Sequence, residues 1–358
     1  MYLTDLRLRN VKLFREVDLA FRGNDDSARM WTVVTGVNGL CKSTLLQAIA
    51  LAASGPKVAR ALVDDARDYV RGEGTGGCMI AAGFERAVDA PPIESAGATI
   101  DRKRLDSVLE LHSTDYDFAG HGEDWRHIDA LRSARASGFL VAGIGVGRTL
   151  PQPGEVAAPK DPIEDRVVGL FRSGHKMVGT EFYNALKLDG LEQDFAKSLR
   201  SVLLRLQSTE DGRAPLLTGL CVDDLRGPNG LDAMRNLLET RRFEMSLGET
   251  RFRVKPTMLS HGYQGVLSWI GDLLGYAFLE QRRPIEPQEL RGIVLLDEID
   301  QQPLGARSAP CRSAQEMLLL RASPRAWQRC GRAFSAQGRG ASRSDRRSET
   351  DRLLVARL

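Results

Sequence analysis

The sequence predicts an α/β fold in which helices flank a largely parallel central sheet. An apolar run rich in β-branched residues at 30–35 is typical of a buried strand, and it leads through a glycine-rich loop into a helical pattern. A second apolar helical pattern covers residues 258–282, where Ser260 is a suitable N-cap. The continuous apolar run Gly292–Leu296 follows and ends in two carboxylates, as central strands buried on both faces do.

The composition is that of an ordinary globular protein. Of the 358 residues, 42% are hydrophobic and 27% are charged, and no apolar run approaches the roughly 20 residues that a membrane helix requires. The five cysteines are scattered and form no CxxC pair, which argues against a disulfide framework or a zinc site and favours a reducing compartment. The first residues alternate in polarity like a strand, without a signal-peptide pattern, so we expect a cytoplasmic protein.

Local patterns divide the chain into four regions. Residues 1–56 contain strands at 3–11 and 17–21, the apolar strand, the glycine-rich loop, and a helix over 43–53 that the sequence Ser-Gly-Pro closes. Residues 57–250 form an insert of strands and helices, residues 251–300 contain the second helix and the apolar strand, and residues 301–358 form a tail. Within the insert we predict strands near 78–84, 107–111 and 139–144, loops at 90–98 and 151–162, and helices at 163–172 and 180–207.

The loop at 36–44 matches the phosphate-binding pattern G-x-x-x-x-G-K-[ST] at all fixed positions but one. In that pattern backbone N–H groups wrap the phosphates, the Lys reaches the β- and γ-phosphates, and the Ser/Thr hydroxyl ligates Mg²⁺. Cys41 replaces the second glycine of the pattern. A glycine is required there because the backbone approaches the phosphate closely in a conformation that a Cβ disfavours. The alternative is a chance glycine-rich turn. The motif predicts an ATP site, weakened by Cys41, that consists of Gly36, Asn38, Gly39, Cys41, Lys42, Ser43 and Thr44.

The two carboxylates that follow the apolar strand are the second chemical feature. Asp297 and Glu298 end the segment VLLDE, which is similar to a Walker B strand. In that role Asp297 holds Mg²⁺ through water, Ser43 ligates the ion, and Glu298 polarises the attacking water as the catalytic residue. The alternative is an ordinary strand that ends at a solvated acidic loop.

The segment LSHGYQ at 259–264, at the start of the second helix, is the third feature. It resembles the LSGGQ-type signature of ABC ATPases and the corresponding segment of RecF-like, SMC-like and OLD-family ATPases. In those families the signature of one subunit presents its Ser and its helix N-terminus to the γ-phosphate bound by the other subunit. The resemblance implies that Ser260 and Gly262 act on ATP bound by a partner. The alternative is a capped core helix without a ligand.

Along residues 1–300 the chain has a strand, the phosphate loop, a long insert, the signature-like helix and the Walker B-like strand, in that order. This order resembles that of the P-loop ATPases of the ABC/RecF/SMC-like and OLD-type group. The resemblance implies an α/β P-loop NTPase core with mixed N-terminal strands and a parallel central sheet, plus a helical insert lobe. It also implies ATP and Mg²⁺ as cofactors and an ATPase that forms a head-to-tail homodimer through ATP. Several proteins of this group work in DNA repair or phage defence, often beside a nuclease partner, so the resemblance makes DNA and a nuclease candidate partners.

The tail at 301–358 departs from the pattern of that group. It contains twelve Arg, no Lys and four acidic residues, a net charge of +8, whereas the whole chain carries +3. Apolar residues cluster only at 317–320 and 353–355, and the further core strands and switch histidine of the family are missing. We expect a poorly ordered tail, explained either by a reading-frame change in GC-rich DNA or by a basic arm that binds nucleic acid. A degenerate pseudo-ATPase and a nucleic-acid-binding protein are therefore alternative functions.

Two other patterns concern glycines and histidines. Gly143, Gly145 and Gly147 follow a strand as in a dinucleotide-binding fold, but prolines stand where the next helix must begin. Arg148, just beyond, is a candidate basic residue by the same family resemblance. The histidines show no ligand spacing such as H-E-x-x-H, and we interpret all five as surface or loop residues: His112, His121, His127, His175 and His261.

Overall fold

The structure is a computed structural model, and it shows a mixed α/β fold. It describes residues 1–23, 26–29, 31–36, 41–72, 76–86, 93–95, 98–100, 103–112, 115–121, 128–129, 140–146, 166–172, 190–206, 217–222, 240–247, 249–286, 290, 292–297, 315–321 and 353–357. The helices and strands in chain order are β1 (Tyr2–Val11), β2 (Phe14–Ala20), β3 (Trp31–Gly36), α1 (Lys42–Leu62), β4 (Cys78–Glu85), β5 (Ile93–Ser95), β6 (Ala98–Ile100), β7 (Arg104–Leu111), β8 (Ala119–His121), β9 (Leu140–Ile144), α2 (Glu192–Leu206), β10 (Leu217–Leu220), β11 (Phe243–Leu247), β12 (Thr250–Val254), α3 (His261–Gln281), β13 (Gly292–Leu296), β14 (Gln315–Arg321) and β15 (Leu353–Arg357).

The central sheet has the strand order β15-β3-β14-β13-β9. Strand β13 runs parallel to β9, and β15 runs parallel to β3, but β14 is antiparallel to both of its neighbours, β3 and β13. The prediction of a parallel central sheet is therefore wrong at β14, which belongs to the tail. Because β14 opposes both neighbours, β3 and β13 point in the same direction.

A second sheet, in the order β2-β1-β4-β7-β8, is antiparallel throughout. The predicted N-terminal strands form its β1–β2 hairpin, and β4 and β7 come from the predicted insert. The inward side chains of β1 are almost completely buried, because α1 lies over this face of the sheet; Ser107 of β7 donates a 2.7 Å hydrogen bond to the carbonyl of Ala52 in α1.

Side chains of β9 and β13 alternate between two hydrophobic cores, as period-two strands buried on both faces require. Val141, Ile293 and Leu295 pack with α1 and the antiparallel sheet. Leu140, Val294 and their neighbours pack instead with α2, α3 and the small sheet β10-β11-β12. The central strands thus lie between two layers, and the continuous apolar pattern of Gly292–Leu296 is explained.

Among its described residues, the insert that was predicted as a helical lobe contains strands as well as helices. Its described residues contain more strand than helix, and they contribute to both cores: β4 and β7 to the first, and α2, β10 and β11 to the second. The strands predicted near 78–84, 107–111 and 139–144 are confirmed as β4, β7 and β9. Local periodicity does not report which strands pair, because it depends only on what each segment buries. The small ribbon β5–β6 also falls where a loop was expected, at 90–98.

Helix α1 is longer than the helix predicted over 43–53. Gly55 leaves the helical region at φ 80°, ψ 172°, and the chain then resumes helical geometry with Pro56 and continues to Leu62. The predicted stop is therefore a kink. The second half continues because Val58, Ala59 and Leu62 are buried in the first core.

Candidate functional site

The site lies where β3 and β13 end. Because the two strands run in the same direction, their carboxyl ends meet at one edge of the central sheet. Helix α1 begins beyond β3, and Ser43 is its second residue; Asp297 directly follows β13. The Ser43 hydroxyl donates a 2.7 Å hydrogen bond to Oδ2 of Asp297. The fold therefore joins two residues that the sequence separates by 254 positions.

Cys41 is the N-cap of α1 and adopts the left-handed conformation, with φ 55° and ψ 30°. Its carbonyl accepts the first helical hydrogen bond, from the N–H of Leu45 at 3.1 Å. The left-handed region is the one in which glycine is favoured, so the structure explains why the phosphate-binding pattern has glycine here. Cys41 keeps the glycine-like backbone turn but adds a side chain to it.

The first turn of α1 presents its N–H groups without any acidic residue nearby in sequence. Such a helix start carries partial positive charge and is suited to an anion. Lys42 and Thr44 lie in the same turn and are buried, with 7% and 5% exposure.

Asp297 is held from two sides. Its backbone N–H donates a 2.9 Å hydrogen bond to the carbonyl of Ile144 at the end of β9, and its carboxylate accepts from Ser43. The side chain is 7% exposed. A hydroxyl and a carboxylate oxygen 2.7 Å apart are close to the spacing of about 2.9 Å that adjacent ligands take around Mg²⁺ at 2.0–2.1 Å. Both groups offer oxygen atoms, the ligand type that Mg²⁺ prefers.

The LSHGYQ segment forms the start of α3. Ser260 is its N-cap, as predicted, but the hydroxyl makes no capping hydrogen bond and the residue is exposed. Gly262 lies in the first turn. The side-chain amide of Gln264 donates instead to the carbonyls of Leu259, at 2.7 Å, and Thr257, at 3.2 Å, and so holds the turn that precedes the helix. The helix start is shaped without use of the Ser260 hydroxyl.

The remaining predicted site residues lie either in β3 or outside the described part of the chain. Gly36 is the last residue of β3 and pairs with Gln315 of β14. Asn38, Gly39, Glu298 and Arg148 lie outside the described residues. The structure thus brings together the two ends of the predicted site, Ser43 and Asp297, among the residues that it describes.

The glycines at the end of β9 have a packing role. A Cβ on Gly143 would lie 2.5 Å from Cδ1 of Leu170, and a Cβ on Gly145 would lie 1.8 Å from the carbonyl oxygen of Gly169. Residues 166–170 therefore approach this strand too closely for a side chain. This explains the glycine pattern without a dinucleotide.

Gln47 is a positioning residue that the sequence analysis did not single out. Its side chain donates to the carbonyl of Leu170 at 2.7 Å and accepts from the hydroxyl of Tyr69 at 2.9 Å. These bonds fix α1 against two neighbouring segments. A lone amide inside the otherwise apolar run of residues 45–53 is the signal that marks it.

Comparisons with known proteins identify no family. No protein-family model matches the chain, and a comparison with curated proteins finds no match either. A solved structure titled as the recombination mediator protein RecF with ATP in the RecFOR pathway is similar with a TM-score of 0.36 and 13% identity, over 83% of this chain and 85% of that chain. A likeness of that size carries no argument about the site. No helix in the described part is long and apolar enough to cross a membrane.

Proposed function

We propose that this protein binds ATP and hydrolyses it at the edge of the central sheet, as a P-loop ATPase. The observation that carries the proposal is the hydrogen bond between Ser43 and Asp297, at the start of a helix whose N-cap has glycine-like geometry. A Ser/Thr of the phosphate loop beside a carboxylate at the end of a parallel strand is the arrangement that holds Mg²⁺ in such enzymes.

The phosphates of ATP would bind at the start of α1. Lys42 and the N–H groups of the first turn supply positive charge, and Gly36, Asn38, Gly39, Cys41 and Thr44 complete the loop and the helix start that surround the phosphates. Ser43 and Asp297 would hold Mg²⁺, which supplies charge neutralisation for the β- and γ-phosphates. Glu298, the next residue, would polarise the attacking water.

A second copy of the chain would complete the site. Ser260, at the start of α3, is exposed and its hydroxyl makes no capping hydrogen bond, and Met258 nearby is 60% exposed. By resemblance to the ABC and RecF-like ATPases, Ser260 and Gly262 contact the γ-phosphate of the partner's ATP, so the active form is a homodimer formed through ATP. DNA and a nuclease partner are further proposals from the same resemblance.

Measured ATP turnover tests the proposal. We expect Mg²⁺-dependent turnover in the wild type that is lost in Lys42→Ala and in Glu298→Gln, while Glu298→Gln retains ATP and accumulates as a dimer in size-exclusion chromatography. Ser260→Ala should reduce turnover at unchanged ATP affinity of the monomer. Turnover that persists in Lys42→Ala would contradict the proposal.

Salt-sensitive DNA binding that survives Lys42→Ala without any ATP binding would support the nucleic-acid function instead.

Nucleotide binding without turnover is the second candidate, because Cys41 carries a side chain where the loop needs a glycine-like backbone. A fluorescent ATP analogue that binds the wild type, together with turnover that appears only in Cys41→Gly, would favour this pseudo-ATPase.

A further inference from the structure

The outer face of β7 and β8 carries a cluster of a carboxylate and two imidazoles. Leu105, Leu109 and Leu111 of β7 are buried against the first core, so the alternate residues Glu110 and His112 lie on the opposite face. His121 of β8 pairs with Val108, which makes it a diagonal neighbour of Glu110 on that same face. Alternation and strand register together assemble the three side chains.

The three groups are close enough to share one ligand. One potential ligand atom from each of Glu110, His112 and His121 lies within 4.8 Å of the other two. Nε2 of His121 is 3.4 Å from Oε2 of Glu110, and the two imidazole rings meet edge to face with centroids 5.9 Å apart. Adjacent ligands of a tetrahedral Zn²⁺ at 2.0–2.1 Å are about 3.3 Å apart, so the His121–Glu110 spacing already matches.

We propose that Glu110, His112 and His121 form a binding site for one divalent transition-metal ion, with Zn²⁺ as the best match. Two imidazoles and one carboxylate form a borderline-soft ligand set that suits Zn²⁺. Mg²⁺ and Ca²⁺ suit it less well, because they prefer oxygen ligands. Three protein ligands leave one position of a tetrahedral ion for water or another small ligand. This site is separate from the magnesium site of the proposed ATPase, because α1 lies over the other face of the same sheet.

The surroundings allow access to the ion. Glu110 and His112 line a cavity of about 560 Å³ together with Arg9 and Arg15, so an ion between them is reachable from solvent. Cys78 lines the same cavity, but its side chain is buried in the first core, and burial raises the pKa of its thiol to about 11. In the proposed site the fourth ligand is water or another small ligand.

The bound ion would cross-link an edge strand. Strand β8 spans three residues and forms the edge of its sheet, held to β7 by three residue pairs. A metal bond between His121 and the β7 residues adds a strong link at that edge, so the proposed ion stabilises the hairpin as well as offering an open coordination position.

Zinc titration of the full-length, chelator-stripped protein tests the proposal. We expect one Zn²⁺ per chain by calorimetry, a higher melting temperature with Zn²⁺, and the visible spectrum of tetrahedral Co²⁺ on substitution. His112→Ala, His121→Ala and Glu110→Gln should each weaken Zn²⁺ binding by at least about tenfold. The proposal would be overturned if the stripped wild type bound no stoichiometric Zn²⁺, or if the wild type and the three variants bound Zn²⁺ equally well.

Matched variants separate the site from adventitious binding. His261→Ala removes an exposed histidine elsewhere and Asp106→Asn removes a carboxylate on the same face of β7, so both should bind Zn²⁺ like the wild type. His112→Cys replaces one ligand by another and should retain binding while adding a thiolate-to-Co²⁺ absorption band. That band is a positive readout that remains decisive if an alanine variant loses stability. Its absence from folded, Co²⁺-treated His112→Cys would contradict the assignment.

Discussion

At the scale of single residues, Cys41 retains a glycine-like backbone conformation at a position where the phosphate-binding pattern has glycine. The φ of 55° places an L-residue where the left-handed conformation costs roughly 1–2 kcal/mol. The cost is tolerated because Cys41 also begins α1, through its carbonyl and the N–H of Leu45. The side chain is small, so the conformation of the helix start is retained.

Cys41→Gly should therefore tighten ATP binding and change stability little. Relief of the left-handed strain favours the variant, while the greater freedom of glycine in the unfolded chain offsets part of the gain, for a net effect of about 0–1 kcal/mol in the free energy of unfolding. Nucleotide titration and urea unfolding measure the two effects. Cys41→Ala retains Cβ and serves as the control, which should gain neither; equal affinity in both variants would contradict the role given to the glycine.

At the scale of elements, two glycines inside long helices have opposite roles. Gly55 lies at the kink of α1 with φ 80°, so a Cβ there is strained. Gly271 lies inside α3, and a Cβ built on it meets no atom within 4 Å.

Alanine at these two positions should shift stability in opposite directions. Gly55→Ala should lower the free energy of unfolding by about 1 kcal/mol or more, because alanine disfavours the left-handed region. Gly271→Ala should raise it by about 0.5–1 kcal/mol through helix propensity. Thermal and urea unfolding of the two variants provide the measurement, and a loss in Gly271→Ala would show that the helix needs the smaller residue there.

Glu85 links three strands of the antiparallel sheet through its carboxylate. The residue ends β4, and its two oxygens accept from Lys103, just before β7, at 2.9 Å and from Arg22, just after β2, at 3.0 Å. The hydrogen bond from Lys103, and then the positive charges of Lys103 and Arg22, lower the pKa of Glu85 in the folded protein.

Stability should therefore depend on pH through Glu85. A carboxyl whose pKa is lower when folded contributes stability above its unfolded pKa of about 4.3, and that contribution is lost as the pH falls through the folded value. The wild type should melt above Glu85→Gln at neutral pH, and the difference should shrink in acid. Glu16→Gln, in the exposed pair with Arg9, should cost little. A difference that stays constant down to acidic pH would contradict this account.

At the scale of the whole molecule, the tail decides the environment of β3. The two apolar clusters noted at 317–320 and 353–355 lie in β14 and β15, and these strands are the two neighbours of β3 in the sheet. The strand that leads to the phosphate loop thus obtains its hydrogen-bonded neighbours from residues beyond 300. The described tail segments belong to the central sheet.

Hydrogen exchange of the intact protein tests this role of the tail. Amides of residues 32–36 should be protected as strongly as those of β13, because β3 is paired on both sides. A chain that ends at residue 300 should lose this protection and unfold at a lower temperature. Equal protection in both chains would show that the tail is dispensable, as a basic arm would be.

Much of the local structure follows from the sequence by itself, because the period of apolar residues reports what a segment buries. This holds for the β1–β2 hairpin, for α3 with Ser260 at its start, and for the buried strand Gly292–Leu296. The phosphate-loop motif likewise predicted where glycine-like geometry is needed, and Cys41 has that geometry.

The tertiary structure decided which segments meet, because strand pairing joins residues far apart in sequence and no local pattern encodes the partner. It placed β4 and β7 beside β1, reversed β14 between β3 and β13, and brought His121 to Glu110. It also brought the hydroxyl of Ser43 to the carboxylate of Asp297, which the motifs had named separately. The sequence by itself therefore identifies the residues of the candidate site. Their 2.7 Å contact forms only because β3 and β13 run in the same direction in the folded sheet.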